Sequence, residues 1–470
     1  MNFYKSSILV AALAMGFGFT SCDDDDDLVF SGKPVANAEM RAFLEGKGYQ
    51  FNDAGNLLMD AKVAETDSLD LSGTKMTDLK DLVLFPNLKA LNLSNNGYGE
   101  TFDFATVPAQ ITSLNLSGNE IYEYANLVKV DVAENGEETV TTLRNFDKLY
   151  LPEEAKDNMS DIVYFYRSNK DAITGGTLDM RMEDANGKLA AYTTLRNVPD
   201  AELRKFMQEN FSDVFEGEQI DITKRLGALQ NTTAFTIGNK NSFAVKKPTS
   251  LEGVQYILNS PYYKATMFVV RPENTLDLPR IKFPETVSTI TLQNLNVQEE
   301  MAINCGTIVT LNQMNGLKKI DFSQSKIFGQ RGAESEGQNM FGSYLQTYDC
   351  PDLEEIKFPE VKDLKANKID VECMPKLKEL SMKNFNMIVN IQIGDLNDDC
   401  KLEYPNLTEF YYDALWEMAM PTTFSVSEKT YKRQETKDFV DKFYTNATEN
   451  PLSLMSRLSC DKNDPYYWEF

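Results

Sequence analysis

The residues most clearly able to do chemistry lie close to the start of the chain, in the stretch GFGFTSCDDDDDLVF. A lone thiol, Cys22, stands there between an apolar run, Ile8–Phe19, and five consecutive aspartates. One lysine precedes the apolar run, which is shorter than the roughly 20 residues needed to span a bilayer. This charged start, the short apolar centre and the small residues Thr20 and Ser21 are typical of a secretory signal with its cleavage site. The sequence therefore predicts a signal peptide over residues 1–21.

The five aspartates predict a hydrated spacer. Adjacent carboxylates repel one another and cannot pack into a core. A calcium loop is a poor alternative, because its ligands alternate along the chain instead of following one another. The residues concerned are Asp23, Asp24, Asp25, Asp26 and Asp27.

The segment Phe19–Cys22, FTSC, resembles the lipobox of bacterial lipoproteins. In that family the leader is cut just before the cysteine, which is acylated on its thiol and its new amino terminus. Acidic residues directly after the lipidated cysteine are similar to the export tag of surface lipoproteins of the Bacteroidota. The resemblance implies a lipid anchor at Cys22, an anchor and spacer over residues 22–34, and an outer-membrane location facing the cell exterior. An ordinary secretory signal followed by a chance cysteine is the alternative.

Composition excludes several functions. The chain has 47 basic and 71 acidic residues, a net charge of −24 and no histidine. Nucleic acid is an unsuitable partner, because phosphate binding depends on Lys and Arg. Without histidine there is no Ser-His-Asp or Cys-His nucleophile and no HExxH zinc site. Carboxylate-pair chemistry remains open, but no particular pair is singled out, so we predict no catalytic residue, metal ligand or cofactor.

Internal repeats are the main signal of the sequence. Three segments align: DSLDLSGTKM from Asp67, LKALNLSNNGY from Leu88 and ITSLNLSGNEI from Ile111. The last two read LxxLxLxxN, with Ile in place of the first Leu in the third segment. Leu69, Leu91 and Leu114 follow one another at 22 and 23 residues, which lies within the period of leucine-rich repeats. Alternation along a short strand directs the leucines inward, and the asparagine can hydrogen-bond backbone groups at the bend that follows. Stacked copies would share one continuous core.

Looser copies continue the pattern at uneven spacing. We place them in one series, which contains FDKLYLPEEA, VSTITLQNL, LKKIDFSQS, LEEIKFPEV, LKELSMKNF and LTEFYYDAL. A longer duplication relates VANAEMRAFLEGKGYQF from Val35 to VPDAELRKFMQENFSDVF from Val198. Both carry apolar residues at helical spacing, with Asn37 and Asp200 as N-caps. The helix and the segments after it resemble the amino-terminal cap of leucine-rich repeat domains in bacterial surface proteins.

We therefore expect an α/β repeat solenoid with leucine-rich repeats, helical N-terminal caps and irregular C-terminal coils. Residues 35–190 are predicted to form a first capped unit and residues 191–470 a second one with a C-terminal cap. A β-rich insertion is expected from Asp161 to Thr193, where the Asn-Gly of RMEDANGKLAAYTTLRN predicts a hairpin turn.

The remaining cysteines allow disulfides, buried thiols or both. An outer-membrane surface is oxidising enough for disulfides, and an odd number leaves at least one thiol unpaired. The sequence does not choose between these states for Cys305, Cys350, Cys373, Cys400 and Cys460.

The outward strand positions of the repeats are the expected binding surface. A mixed-charge, polar face is suited to recognition of a protein partner, including adhesion, through hydrogen bonds and ion pairs. The resemblance to Bacteroidota surface lipoproteins, many of which hand polysaccharide to transporters, implies the alternative of a glycan-binding accessory lipoprotein of a polysaccharide uptake system, with aromatic residues late in the chain as sugar platforms. In either case we expect a non-catalytic binding module. The candidate binding residues are Asn92, Asn115, Lys319, Asp321, Lys357, Ser381, Tyr411 and Trp416.

Overall fold

The computed structural model is mostly parallel β-sheet with few helices, which is compatible with an α/β repeat architecture. None of the helices in the described part of the chain is long and apolar enough to cross a membrane. The chain divides into two compact units, one of residues up to 67 with 80–88, the other of residues 68–79 and 89–470. The structure describes residues 31–134, 137–226, 234–238, 245–263, 266–284, 286–330, 343–409, 411–413, 418–420, 422–445, 455–458 and 460.

The first unit is built around the helix Ala38–Gly46. Asn37 caps it, accepting hydrogen bonds from the backbone of Glu39 and Met40, so the predicted helix and its cap are confirmed. Its buried face is apolar, as the helical spacing predicted. The other elements of this unit are the antiparallel strands Gly32–Lys33 and Leu57–Leu58, the helix Ala61–Glu65 and the 3-10 helix Lys80–Leu84.

The second unit opens with a six-stranded sheet whose first five strands run parallel. The aligned repeats are register partners: Leu69 faces Leu91, and Leu91 faces Leu114. All three leucines are buried, which confirms the predicted inward face. In spatial order the strands are Ser68–Asp70, Ala90–Asn92, Ser113–Asn115, Lys148–Leu151, Asp179–Glu183 and the antiparallel Leu189–Ala191.

The bend after each of the first three strands has the same backbone conformation. Gly73, Asn95 and Gly118 lie four residues after the register-paired leucines and all have positive φ, between 56° and 67°. Glycine and asparagine adopt this left-handed conformation most readily. The next asparagine in two of the repeats, Asn96 and Asn119, is buried and hydrogen-bonded to the backbone at the bend, as predicted.

In the later half of the second unit, successive turns of chain contribute one strand to each of two parallel sheets. The number of residues between successive register partners is the same in both sheets, so each turn of chain adds one strand to each sheet. In the ten-stranded sheet they are Ile290, Val309, Leu345, Ile369 and Ile391. In the five-stranded sheet they are Met301, Ile320, Ile356, Leu380 and Leu402. All ten side chains are buried in one hydrophobic core.

The bounds of these strands are as follows. The ten-stranded sheet consists, in spatial order, of Ala234–Gly238, Met267–Arg271, Thr289–Asn296, Ile308–Asn315, Ser343–Tyr348, Leu364–Glu372, Phe385–Ile393, Thr423–Ser427 and Met455–Leu458, with Leu276–Asp277 paired beside Thr289–Asn296. The five-stranded sheet consists of Glu300–Ala302, Lys319–Asp321, Glu355–Lys357, Glu379–Ser381 and Lys401–Glu403.

The predicted single series of looser repeats is wrong in three places. The first is the strand Lys148–Leu151, which belongs to the six-stranded sheet. The strand Thr289–Asn296 belongs to the ten-stranded sheet, and the strand that precedes Lys319–Asp321 in its sheet is Glu300–Ala302. At the other end, Lys401–Glu403 follows Glu379–Ser381, whereas Tyr411–Asp413 pairs antiparallel with Met418–Met420. Among the later repeats, one apolar pattern thus describes strands of two sheets, because both sheets face the same core.

The second predicted helix is Ala201–Asn210, and its cap is confirmed because Asp200 accepts from the backbone of Leu203. The expected β-rich stretch from Asp161 is wrong over its first part, which forms two helices. The hairpin that follows has the predicted Asn-Gly turn.

The remaining strands form three small sheets. They are the antiparallel pair Val128–Val132 and Glu138–Thr142, the parallel pair Thr101–Asp103 and Glu123–Ala125, and the antiparallel strands Leu195–Arg196, Gln219–Asp221 and Phe215–Glu216. The remaining helices are the α-helices Asp161–Ser168, Lys170–Thr174, Val254–Leu258, Glu428–Tyr431 and Gln434–Val440, the π-helix Asp441–Thr445, and the 3-10 helices Phe104–Thr106, Glu153–Asp157 and Ser212–Val214.

Both cysteine states that the sequence allowed are present. Cys373 and Cys460 form a disulfide with a Cα–Cα distance of 5.6 Å. Cys305, Cys350 and Cys400 are buried thiols. Burial raises the pKa of Cys350 to about 12, so this thiol stays protonated at neutral pH.

Candidate functional site

The outward side of the ten-stranded sheet carries polar side chains in regular rows, which we call the polar face. Alternation along each strand sends its aliphatic residues into the core and its polar residues outward. Because the strands pair in register, outward residues of neighbouring strands stand side by side, about 4.8 Å apart. Ile308, which is 41% exposed, is the aliphatic exception in these rows. The three rows are Thr289, Ile308, Tyr344, Lys368, Asn390 and Thr423; Thr291, Thr310, Gln346, Asp370, Gln392 and Ser425; and Gln293, Asn312, Tyr348 and Glu372.

A cavity of about 610 Å³ lies on the polar face, next to the end of the strand Met267–Arg271. This volume falls within the usual range of small-molecule sites. Its walls are mostly amides and hydroxyls, with one arginine and one aromatic ring. The lining includes Arg271, Asn294, Thr310, Asn312, Tyr344 and Gln346.

Two enclosed polar atoms in the cavity wall have no hydrogen-bond partner among the described residues. They are Nε of Arg271 and Oδ1 of Asn312. Asn312 is 6% exposed, so its oxygen has lost contact with water without gaining a partner. An unmet buried donor or acceptor costs about 1–3 kcal/mol, and such groups are rare in folded proteins. Both atoms are therefore able to bind water or a polar group of a ligand.

A charged group adjoins the cavity on the next strand, Leu364–Glu372. Lys368 lies 5.7 Å from the ring centre of Tyr344, and its Nζ lies 2.7 Å from Oδ2 of Asp370. This contact is an ion pair, and the neighbouring side chains of Glu372 and Gln346 also favour the charged form of Asp370. Burial and the charge of Asp370 raise the pKa of Glu372 to about 8, and burial raises the pKa of Asp370 against the attraction of Lys368. The two carboxyl groups therefore hold a proton between them at neutral pH.

The two binding residues predicted on the first repeats, Asn92 and Asn115, form hydrogen bonds within the repeats themselves. Asn92 donates to Asp70 at 2.9 Å and accepts from the backbone of Ser94. Asn115 accepts from the backbone of Ser117 at 3.0 Å. These side chains close turns of the six-stranded sheet, far along the chain from the polar face.

Four other predicted binding residues come together on the outward side of the five-stranded sheet. Lys319 forms an ion pair with Asp321 at 3.1 Å, and Ser381 donates to Glu403 at 2.6 Å. Lys357 lies in register with Asp321 on the neighbouring strand. Opposite charges on this side largely neutralise one another. The side chain of Tyr411 and the whole of Trp416 lie outside the described residues.

Sequence reasoning missed Arg271, Asn312 and Asp370. It followed the leucine pattern, which lies mainly in the six-stranded and five-stranded sheets. The usable signal was the alternation of apolar and polar residues in TITLQ and VTLN, which ends at the adjacent polar pairs Gln293-Asn294 and Asn312-Gln313. Such alternation predicts a strand with one polar side, but it does not show that two such strands lie in register.

Among the residues that the structure places, no group of three or more acidic or cysteine side chains could hold a metal ion. The arrangement is one of hydrogen-bond donors, acceptors and a single unpaired cation around a cavity, which is suited to binding a polar ligand. No protein-family model matches this chain, and neither a curated protein nor a solved structure matches it.

Proposed function

We propose that this chain is a lipid-anchored outer-membrane protein, exposed at the cell surface, that binds a carbohydrate on the polar face without transforming it. In this proposal its parallel strands form a leucine-rich-repeat solenoid of two tandem units with helical caps. Cys22 is the lipid attachment site and Asp23 to Asp27 are the surface export signal. It is thus a Bacteroidota-type surface lipoprotein.

The observation that carries the proposal is the unmet polar atoms of Arg271 and Asn312 beside a cavity. A hydroxyl-rich ligand would supply both an acceptor for the guanidinium and a donor for the amide oxygen. The in-register rows repeat about every 4.8 Å, and the row that contains Thr310 and Gln346 is polar at every position, so a chain of hydroxyl-bearing units would meet a polar group at each step. Within the described part of this face, Met267 and Ile308 are the only large apolar side chains with marked exposure. Protein interfaces usually depend on larger apolar or aromatic anchors.

Protein recognition or adhesion through the five-stranded sheet is the second candidate. Its support is the placement of Lys319, Asp321 and Lys357 on adjacent strands, in a mixed-charge surface suited to a complementary partner. Several of its outward charges already pair with one another, as Lys401 does with Glu379 at 2.8 Å and Lys319 with Asp321 at 3.1 Å. Exposed ion pairs of this kind contribute little free energy, so replacing them by ion pairs with a partner protein would add little to the binding affinity.

The test is a binding screen of the detergent-solubilised full-length protein on glycan and extracellular-matrix protein arrays, side by side. Glycan binding that is weakened by Asn312→Leu and unchanged by Lys357→Gln would support the proposal. A protein hit weakened by Lys357→Gln and unchanged by Asn312→Leu would replace it with the second candidate. Binding that neither substitution affects would show that the ligand uses another surface.

A further inference from the structure

We infer that the cavity beside Arg271 recognises the carboxylate group of an acidic sugar, with Arg271 as the carboxylate-binding residue and Asn312 as a hydroxyl-binding residue. This inference rests on the proposed function and narrows its ligand from carbohydrates in general to uronate-containing ones. It concerns a site rather than the whole polar face.

Arg271 differs from other arginines that lack an ion pair in the described structure. Arg144 and Arg196 also form none there, but their guanidinium groups donate to backbone carbonyl oxygens. Arg271 is half-buried, yet it forms no ion pair with any residue that the structure describes, and its Nε is enclosed without a partner. A guanidinium offers donors in a planar fork that matches a carboxylate with two parallel hydrogen bonds. An unpaired arginine in a cavity wall therefore points to an anionic ligand group.

Among the described residues that line the cavity, the one with a carboxylate is Glu273, and it is exposed to solvent. An exposed carboxylate is well hydrated and screened by salt. The backbone carbonyl of Glu273 accepts from Nδ2 of Asn294 at 3.1 Å, and Oδ1 of Asn294 accepts from Thr275 at 2.6 Å. These bonds fix the rim, so the segment that follows Arg271 is held in place before a ligand arrives.

The rest of the wall favours a sugar over a peptide terminus or a simple acid. Thr310 and Asn312 on one strand and Gln346 on the next present hydroxyl and amide groups. Tyr344 adds a half-exposed ring, against which the apolar face of a sugar ring can lie. A peptide terminus would need apolar subsites for its side chains, whereas this wall is mainly polar.

Isothermal titration calorimetry of the detergent-solubilised full-length protein tests the inference with three probes. These are the trimer of galacturonic acid, the neutral trimer of galactose and acetate. We expect the uronate trimer to bind, the neutral trimer to bind about 10- to 100-fold more weakly, and acetate to show no measurable heat, since a charge-assisted pair adds to the sugar contacts. Arg271→Gln should weaken the uronate trimer by the same factor and leave the neutral trimer unchanged.

Two further variants separate the roles. Arg271→Lys keeps the charge without the fork and should recover part of the loss, and Lys205→Gln, at an exposed position of the helix Ala201–Asn210, should change nothing. Equal binding of both trimers, with loss on Asn312→Leu, would overturn the uronate inference and leave carbohydrate binding standing. Failure of both trimers to bind would also overturn it, and the array screen would then decide the proposed function. Acetate binding as tight as the uronate trimer would show a carboxylate site without sugar recognition.

Discussion

Oδ1 of Asn119 accepts a hydrogen bond from the backbone N–H of Asn96, 23 residues earlier, at 2.9 Å. The same oxygen accepts from Tyr98 at 3.2 Å, and Nδ2 donates to the carbonyls of Leu93 and Leu116 at 3.0 and 2.8 Å. One buried side chain therefore joins the bends of two successive strands. Asn96 does the same for the preceding bend, where it accepts from the backbone of Lys75 at 2.8 Å.

Replacing Asn119 by alanine should lower the free energy of unfolding by about 2–4 kcal/mol, because buried backbone groups of two bends would lose their partners. Asn92→Ala is the matched control, since Asn92 is half-exposed and its groups can turn to water. We expect the control to cost less than about 1 kcal/mol. Urea unfolding followed by circular dichroism measures both. Equal losses in the two variants would mean that the buried asparagine has no special role between bends.

The first repeats could be predicted in detail because sequence and structure there follow one rule. Leu69, Leu91 and Leu114 share a spacing, a strand and a register, and asparagine at the bend has a chemical reason to be there. The helix caps were equally accessible, since Asn37 and Asp200 act through contacts within a few residues. Local chemistry and short periods are both written directly in the sequence.

The polar face was not predictable from the same pattern. Ile290 and Ile320 follow identical local patterns, but they lie in different sheets, because each turn of chain supplies two strands to one core. Which strands pair depends on the lengths of the segments between them. Arg271 and Asn312 line the same cavity because of that pairing, and no property of either residue alone indicates it.

The disulfide between Cys373 and Cys460 closes a loop with a sequence separation of 87 residues. A crosslink over so long a loop restricts the unfolded chain strongly, so Cys373→Ser should lower the unfolding free energy by about 2–5 kcal/mol. Urea unfolding without reductant measures the difference. Dithiothreitol should destabilise the wild type by a similar amount and leave Cys373→Ser unaffected. A wild type that ignores the reductant would contradict the prediction.

The lipid anchor makes a prediction that is independent of the binding surface. Cys22→Ala should abolish incorporation of labelled fatty acid and release the protein from the membrane fraction, because no other acylation site is proposed. Replacing Asp23 to Asp27 by alanines should leave labelling intact and protect the protein from protease added to whole cells. Unchanged labelling of Cys22→Ala would reject the anchor, and unchanged digestion of the alanine variant would reject the export signal alone.

Glu372 should make stability depend on pH in a direction opposite to that of most carboxylates. Burial and the neighbouring charge of Asp370 raise its pKa from 4.5 to about 8, so the folded chain holds a proton that the unfolded chain releases. Below pH 4.5 both states are protonated, and the contribution is fully present. As pH rises from 4.5 to 8 the folded state binds more protons than the unfolded state, and stability falls. The loss across this window should be about 2–5 kcal/mol.

Glu372→Gln isolates this effect from other groups, including Asp157, whose pKa burial raises to about 6. The amide keeps the shape of the protonated carboxyl and does not titrate, so the variant should lose less stability than the wild type between pH 5 and pH 8. Glu360→Gln, at an exposed position, is the control and should follow the wild type. Urea unfolding at several pH values measures all three. If Glu372→Gln and the wild type lose stability in parallel, the proton is not held by Glu372.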